Sequence, residues 1–167
     1  MLSALAALAV FFVVMAALAS PAHADIVKVK NKKDSGKGSL RAAIDNAAQR
    51  GDTIVFTRKV RGTITLKSGE LDVEKNLTIR GPGAGKLAIS GNDESRVFYI
   101  YDGKTVKISG LTITEGNDGF DGGGIENNGD LTLNESVVRD NYADDGGGIY
   151  NDNVLTLTES VVSGNFA

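Results

Sequence analysis

The sequence predicts an all-β parallel solenoid with about 24 residues per turn, and three observations carry that prediction. The first is repetition. Gly122-Gly123-Gly124-Ile125 recurs 24 residues later as Gly146-Gly147-Gly148-Ile149. The same offset maps Asn127 onto Asn151, Leu131 onto Leu155, Leu133 onto Leu157, and Glu135-Ser136-Val137-Val138 onto Glu159-Ser160-Val161-Val162. Read backwards, it links Ile89, Ile113, Val137 and Val161, and also Asn117, Asn141 and Asn165. The second is a succession of short period-two bursts rich in β-branched residues, such as Thr53-Ile54-Val55-Phe56, Thr63-Ile64-Thr65-Leu66 and Thr105-Val106-Lys107-Ile108. The third is composition: 21 Gly against 2 Pro in 167 residues describes a chain that turns often and regularly.

No helical pattern separates those bursts, which excludes a βαβ sheet. A propeller blade needs about 40–45 residues, and a sandwich requires no fixed register. In a solenoid, residues one period apart stack about 4.8 Å apart in parallel strands. Apolar residues then fill the interior, and stacked Asn amides donate one to the next. Glycine triplets suit corners where the backbone needs positive φ or where rungs approach too closely for a Cβ.

Taken from the start, Leu2 to Leu18 is an apolar run ended by Ser20-Pro21 and followed by Ala22-His23-Ala24. It reads as a secretory segment with an A-x-A site, giving a signal peptide over 1–24 and a mature start at Asp25. An uncleaved anchor is the competing reading, since the run is at the lower edge of a bilayer span. No Lys or Arg precedes the run. His23 is the only histidine and there is no cysteine, so the mature chain has no imidazole base, no disulfide and no Cys or His metal ligand.

Residues 25–51 read as a strand followed by a capping helix. Ser39 is the expected N-cap, Leu40, Ala43, Ile44, Ala47 and Ala48 form one stripe, Arg41 and Asp45 lie opposite, and Gly51 is the expected stop. An open solenoid end exposes strand edges and core, and this stripe is suited to cover one. Residues 52–167 read as the solenoid itself, which stops mid-repeat and is therefore expected to be incomplete at the C-terminus.

The segment Asp34-Ser35-Gly36-Lys37-Gly38-Ser39-Leu40-Arg41-Ala42-Ala43-Ile44, followed by Gly51-Asp52-Thr53-Ile54-Val55-Phe56, resembles the start of bacterial secreted right-handed parallel β-helix proteins. Gly123-Gly124-Ile125 and Gly147-Gly148-Ile149 are similar to the Gly-Gly-Ala-Ile units of polymorphic outer-membrane proteins. The resemblance covers residues 25–167. It implies a right-handed β-helix of the pectate-lyase-like kind, secreted or displayed on the bacterial outer membrane and cell surface. Lyases share that fold, so the fold alone assigns no activity.

Charge is unevenly distributed. The chain carries a formal −3, but residues 25–113 carry +7 and residues 114–167 carry −10, with Arg139 the one basic residue of the second part. A nucleic-acid partner is not expected, and a membrane enters only through export or a missing C-terminal anchor. Asp121 and Asp145 are 24 apart and so expected to stack beside the glycine triplets, as are Glu135 and Glu159. Stacked carboxylates repel unless they are solvated or bridged by a cation, and oxygen-rich loops favour Ca2+. Asp121 and Asp145 are thus the candidate Ca2+ ligands, against the reading of solvated turns. No other cofactor and no catalytic residue is expected. Tyr99 and Tyr101 alternate with Phe98 and Ile100, so one pair faces outward and is placed to stack on a sugar. The leading expectation is an exported non-catalytic scaffold or adhesin-like module whose partner is an extracellular polysaccharide or a cell-surface ligand. The alternative is a polysaccharide lyase working by Ca2+-assisted β-elimination, or another carbohydrate-active enzyme. It requires a basic residue near Asp121 and Asp145, for which the sequence offers Arg139, Lys104 and Lys107.

Overall fold

A computed structural model describes residues 24–47 and 50–167; the expected signal segment with His23, and Ala48 and Gln49, lie outside the described residues. Fifteen short strands and one helix follow in chain order: β1 (Ile26–Val29), α1 (Leu40–Asp45), β2 (Arg50–Phe56), β3 (Gly62–Thr65), β4 (Leu71–Val73), β5 (Asn76–Arg80), β6 (Leu87–Ser90), β7 (Phe98–Ile100), β8 (Thr105–Ser109), β9 (Thr112–Thr114), β10 (Ile125–Asn127), β11 (Asp130–Asn134), β12 (Val137–Arg139), β13 (Ile149–Asn151), β14 (Val154–Thr158) and β15 (Val161–Ser163). They form three parallel sheets. Sheet A runs β1-β2-β5-β8-β11-β14, sheet B runs β3-β6-β9-β12-β15, and sheet C runs β4-β7-β10-β13. From β2 onward every third strand returns to the same sheet, and β1 pairs beside β2, so the chain is a parallel β-solenoid of about five turns.

Each strand sends alternate residues into one shared interior. Ile54, Leu77, Ile79, Val106, Ile108, Leu131 and Leu133 come from sheet A, Ile64, Ile89, Ile113 and Val138 from sheet B, and Leu71, Val73, Phe98, Ile100 and Ile125 from sheet C. All are buried. Enclosing one such side chain removes it from water for about 1.5–3 kcal/mol, and stacking the rungs makes that enclosure continuous.

The 24-residue repeat holds from Asp121 onward, while earlier rungs are uneven, from Ile89–Ile113 at 24 to Leu71–Phe98 at 27 and Leu77–Val106 at 29. Ile125 pairs with Ile149 and Leu131 with Leu155, both at an offset of 24. Ile89 pairs with Ile113, but Ile113 pairs with Val138, not with the expected Val137. Val137 lies opposite Thr112 and Val161, on the outer side of sheet B. Likewise Asn117 pairs with Tyr142, and it is Gly116 whose N–H meets the Asn141 side chain at 2.8 Å. The rung holding Asn117 gains one residue between that bridge and the Asp121–Asp145 bridge, so offsets taken backwards across it move by one.

Two Asn ladders do form. Asn127 Nδ2 donates to Asn151 Oδ1 at 2.7 Å and to the Val154 carbonyl at 3.0 Å, while Asn127 Oδ1 accepts from Gly129 N–H at 3.2 Å. Asn141 Nδ2 donates to Asn165 Oδ1 at 2.8 Å. Asn127 is fully buried. Asn127→Ala strands the Gly129 N–H and the Val154 carbonyl, at an expected cost of about 1–3 kcal/mol. The check is amide exchange: protection of β14 should fall relative to that of β8.

The expected cap is present. Ser39 Oγ accepts from Ala42 N–H at 3.1 Å, as an N-cap should, and Leu40, Ala43 and Ile44 are buried where α1 rests on β1 and β4. The helix ends sooner than its sequence stripe suggests, at Asn46 as C-cap. Gly51 does not stop it. That residue lies within β2, at φ +78° beside a register shift between Arg50 and Asp52. Arg41, on the face opposite the stripe, reaches Asp34 at 3.0 Å and the carbonyls of Gly69 and Glu70 with its guanidinium, tying the cap to the first turn.

Candidate functional site

Period-two alternation sends Asp72, Tyr99, Glu126 and Tyr150 to the outer face of sheet C, where they stand in one register column across β4, β7, β10 and β13. As expected for alternating residues, Phe98 and Ile100 are buried and Tyr99 and Tyr101 point outward. The two tyrosine rings meet edge to face with centroids 4.7 Å apart. Asn128 Nδ2 bridges Tyr99 Oη and Glu126 Oε1, each at 3.0 Å.

Beside this column, the connection from sheet B to sheet C lengthens rung by rung, from 66–70 to 91–97 to 115–124. The longest forms a ledge that carries Phe120, 78% exposed; Tyr142 on the next rung is 49% exposed. Arg96 holds the ledge in place. It is 7% exposed, and all three guanidinium nitrogens are engaged. Nη1 pairs with Glu70 at 2.6 Å, while Nη2 pairs with Glu126 at 2.7 Å and with Asp118 at 3.1 Å. Nη2 also donates to the Asp121 carbonyl at 2.7 Å, and Nε to the carbonyls of Asp121 and Gly122 at 3.1 Å. The guanidinium carbon stands 5.4 Å from the Tyr99 ring centroid. One cation thus gathers three carboxylates from two rungs, Glu70 on one side of its own and Asp118 and Glu126 on the other.

Burial pushes the Glu70 carboxyl above its usual 4.5, and the nearby Arg96 charge offsets only part of that rise. Ionising a carboxyl whose pKa is raised on folding opposes folding. This contribution to stability is therefore complete below pH 4.5 and is lost as pH rises through the elevated folded value. Glu70→Gln is expected to flatten the stability–pH curve over that interval, as read by thermal melts from pH 4 to 7.

Asp121 and Asp145 do stack, joined by a parallel bridge on adjacent rungs. Among the described residues, no group of three or more His, Cys, Asp or Glu side chains is placed to share one metal ion. The Ca2+ expectation therefore stands on this pair alone, against the six to eight oxygens that Ca2+ takes. Arg139 is not brought to the pair. It lies on β12 in sheet B, exposed and paired with its neighbour Asp140. Lys107 is exposed on β8 of sheet A. The basic residue at the row is Arg96, which the sequence reading did not single out. Its offsets of 25 to Asp121 and 26 to Glu70 are the signal that would have found it, had the repeat been allowed one or two residues of slack.

The negative surplus shows in the tyrosines. Asp72 above all, with burial and Glu74, raises the Tyr101 phenol; Asp121 and then Asp152 raise that of Tyr150. No family model matches the chain, and no curated protein or solved structure matches it either.

Proposed function

We propose that the chain is an exported, non-catalytic β-helix module that holds an extracellular glycan against the outer face of sheet C. The observation that carries this reading is the register column. Tyr99 and Tyr150 stand two rungs apart, about 9.6 Å by the strand spacing, with Glu126 between them and Tyr101 and Asn128 alongside. Rings at that interval match the reach of a disaccharide, and the amide and carboxylates between them supply hydroxyl partners. Exposed Phe120 and Tyr142 extend the aromatic surface along the ledge. The leader-like run before Asp25 supports export.

A second reading, a polysaccharide lyase with Ca2+ at Asp121 and Asp145, is favoured by Arg96 lying against that row. β-Elimination needs a base to take the proton α to the uronate carboxylate. Arg96 serves poorly, because each of its nitrogens already donates to a carboxylate or carbonyl and a guanidinium has no acceptor site. The scaffold reading is therefore preferred.

One experiment separates them. Soluble glycan oligomers are titrated calorimetrically into the protein, with and without Ca2+, while polygalacturonate is followed for unsaturated-uronide absorbance. The binding reading expects heat with at least one glycan, weakened at least about tenfold by Tyr150→Ala or Tyr101→Ala, which removes roughly 1.4 kcal/mol of stacking. Absorbance growth that needs Ca2+ and disappears in Asp121→Asn would overturn it in favour of the lyase.

A further inference from the structure

We infer that the glycan taken by the outer face of sheet C bears protonated amines, as a glucosamine-type chain does, rather than uronate carboxylates. The inference rests on the glycan-binding reading above and adds the ligand's charge. The face presents Asp72, Asp118, Asp121, Glu126, Asp145 and Asp152 around its tyrosines, with Lys75 flanking the Asp72 end and, ion-paired within the face, one cation, Arg96. That cation is 7% exposed and faces inward to Glu70, Asp118 and Glu126, so it offers nothing to an anionic sugar arriving from solvent.

Nor are the acids equivalent. Glu126 has both oxygens engaged, one by Arg96 and one by Asn128, and so acts as a fixed part of the wall. Asp121, Asp145 and Asp152 surround Tyr150, and no cationic side chain among the described residues pairs with any of them. Asp72 lies at the other end of the column and takes only a long 3.3 Å hydrogen bond from Tyr101 Oη. Each outward ring therefore has carboxylates at its edge, Asp72 by Tyr101 and the aspartate trio by Tyr150. A pyranose stacked on either ring would place an equatorial substituent against them. An ammonium there gains charge-assisted hydrogen bonds, while a carboxylate beside Tyr150 meets the repulsion of Asp121, Asp145 and Asp152. The phenols report the same field, being held above their usual range by these carboxylates.

The test compares three hexamers of one backbone length at pH 6 and low salt: fully deacetylated glucosamine, its N-acetylated counterpart, and galacturonate. The glucosamine hexamer should bind at least about tenfold more tightly than the N-acetyl form, and galacturonate not at all. Raising salt to 0.5 M should erase most of that preference, because the contribution is electrostatic. Asp145→Asn/Asp152→Asn, at two exposed positions, should reduce glucosamine binding by a larger factor than N-acetyl binding and so narrow the preference between them. Equal binding of the neutral and amine hexamers overturns the charge assignment and leaves the glycan-binding reading intact. Binding of neither, by protein whose circular dichroism shows the folded solenoid, overturns both. Preferential binding of galacturonate overturns the inference outright.

Discussion

Arg96→Met is expected to lower the unfolding free energy by about 3–5 kcal/mol, the range found when one partner of a buried ion pair is removed. The substitution keeps most of the side chain's volume but leaves Glu70, Asp118 and Glu126 facing one another without their shared cation. It also deprives the carbonyls of Asp121 and Gly122 of their donor. Arg96→Lys should not restore the loss, because one ammonium cannot reach both carbonyls and three carboxylates from two sides. The readout is urea denaturation at pH 7 and again at pH 4, where protonating the carboxyls should recover part of the deficit. Amide exchange should place the damage in 115–124 and spare sheet A. A deficit under about 1 kcal/mol at pH 7, where a typical surface substitution falls, would show that solvent already screens the cluster and that Arg96 does not organise the ledge.

Gly123→Ala is the second large effect. An added Cβ would collide with the Tyr142 carbonyl and stand 2.7 Å from the Gly147 carbonyl, both backbone atoms of the next rung. Neither can withdraw without breaking the stacking that pairs β10 with β13. The expected cost exceeds about 4 kcal/mol, the range reserved for backbone collisions and buried defects, and it should appear as loss of the last rung before the rest melts. Gly119→Ala, where an added Cβ meets open space, is the matched control and should change stability little. Equal melting of the two variants would mean that the rungs can separate at this corner at little cost.

The glycine triplets show how the sequence carried both its reasons at once. Gly122 and Gly146 adopt φ of +63° and +59°, which side chains rarely tolerate, while Gly123 and Gly147 are held bare by the neighbouring rung. Tyr99 and Tyr101 were legible too, since alternation in a strand leaves only two faces. The capping helix was legible in its buried stripe and its Ser39 cap. Its end was not, because β2 begins earlier than the pattern suggested and absorbs Gly51.

The solenoid follows from residue spacing. A strict period puts the same residue type over itself rung after rung, and only parallel stacking makes use of that, so Ile125 over Ile149 and Asn127 over Asn151 follow from spacing alone. The folded path sets the remaining contacts, and they lie where the period fails. The added residue in the rung of Asn117 moved Val137 out and Val138 in, and the unequal connections brought Arg96 to Glu70, Asp118 and Glu126. A repeat names neighbours only when every turn has the same length. Where loops differ, long side chains reach partners that no fixed offset connects, and their meeting is set by the path of the folded chain.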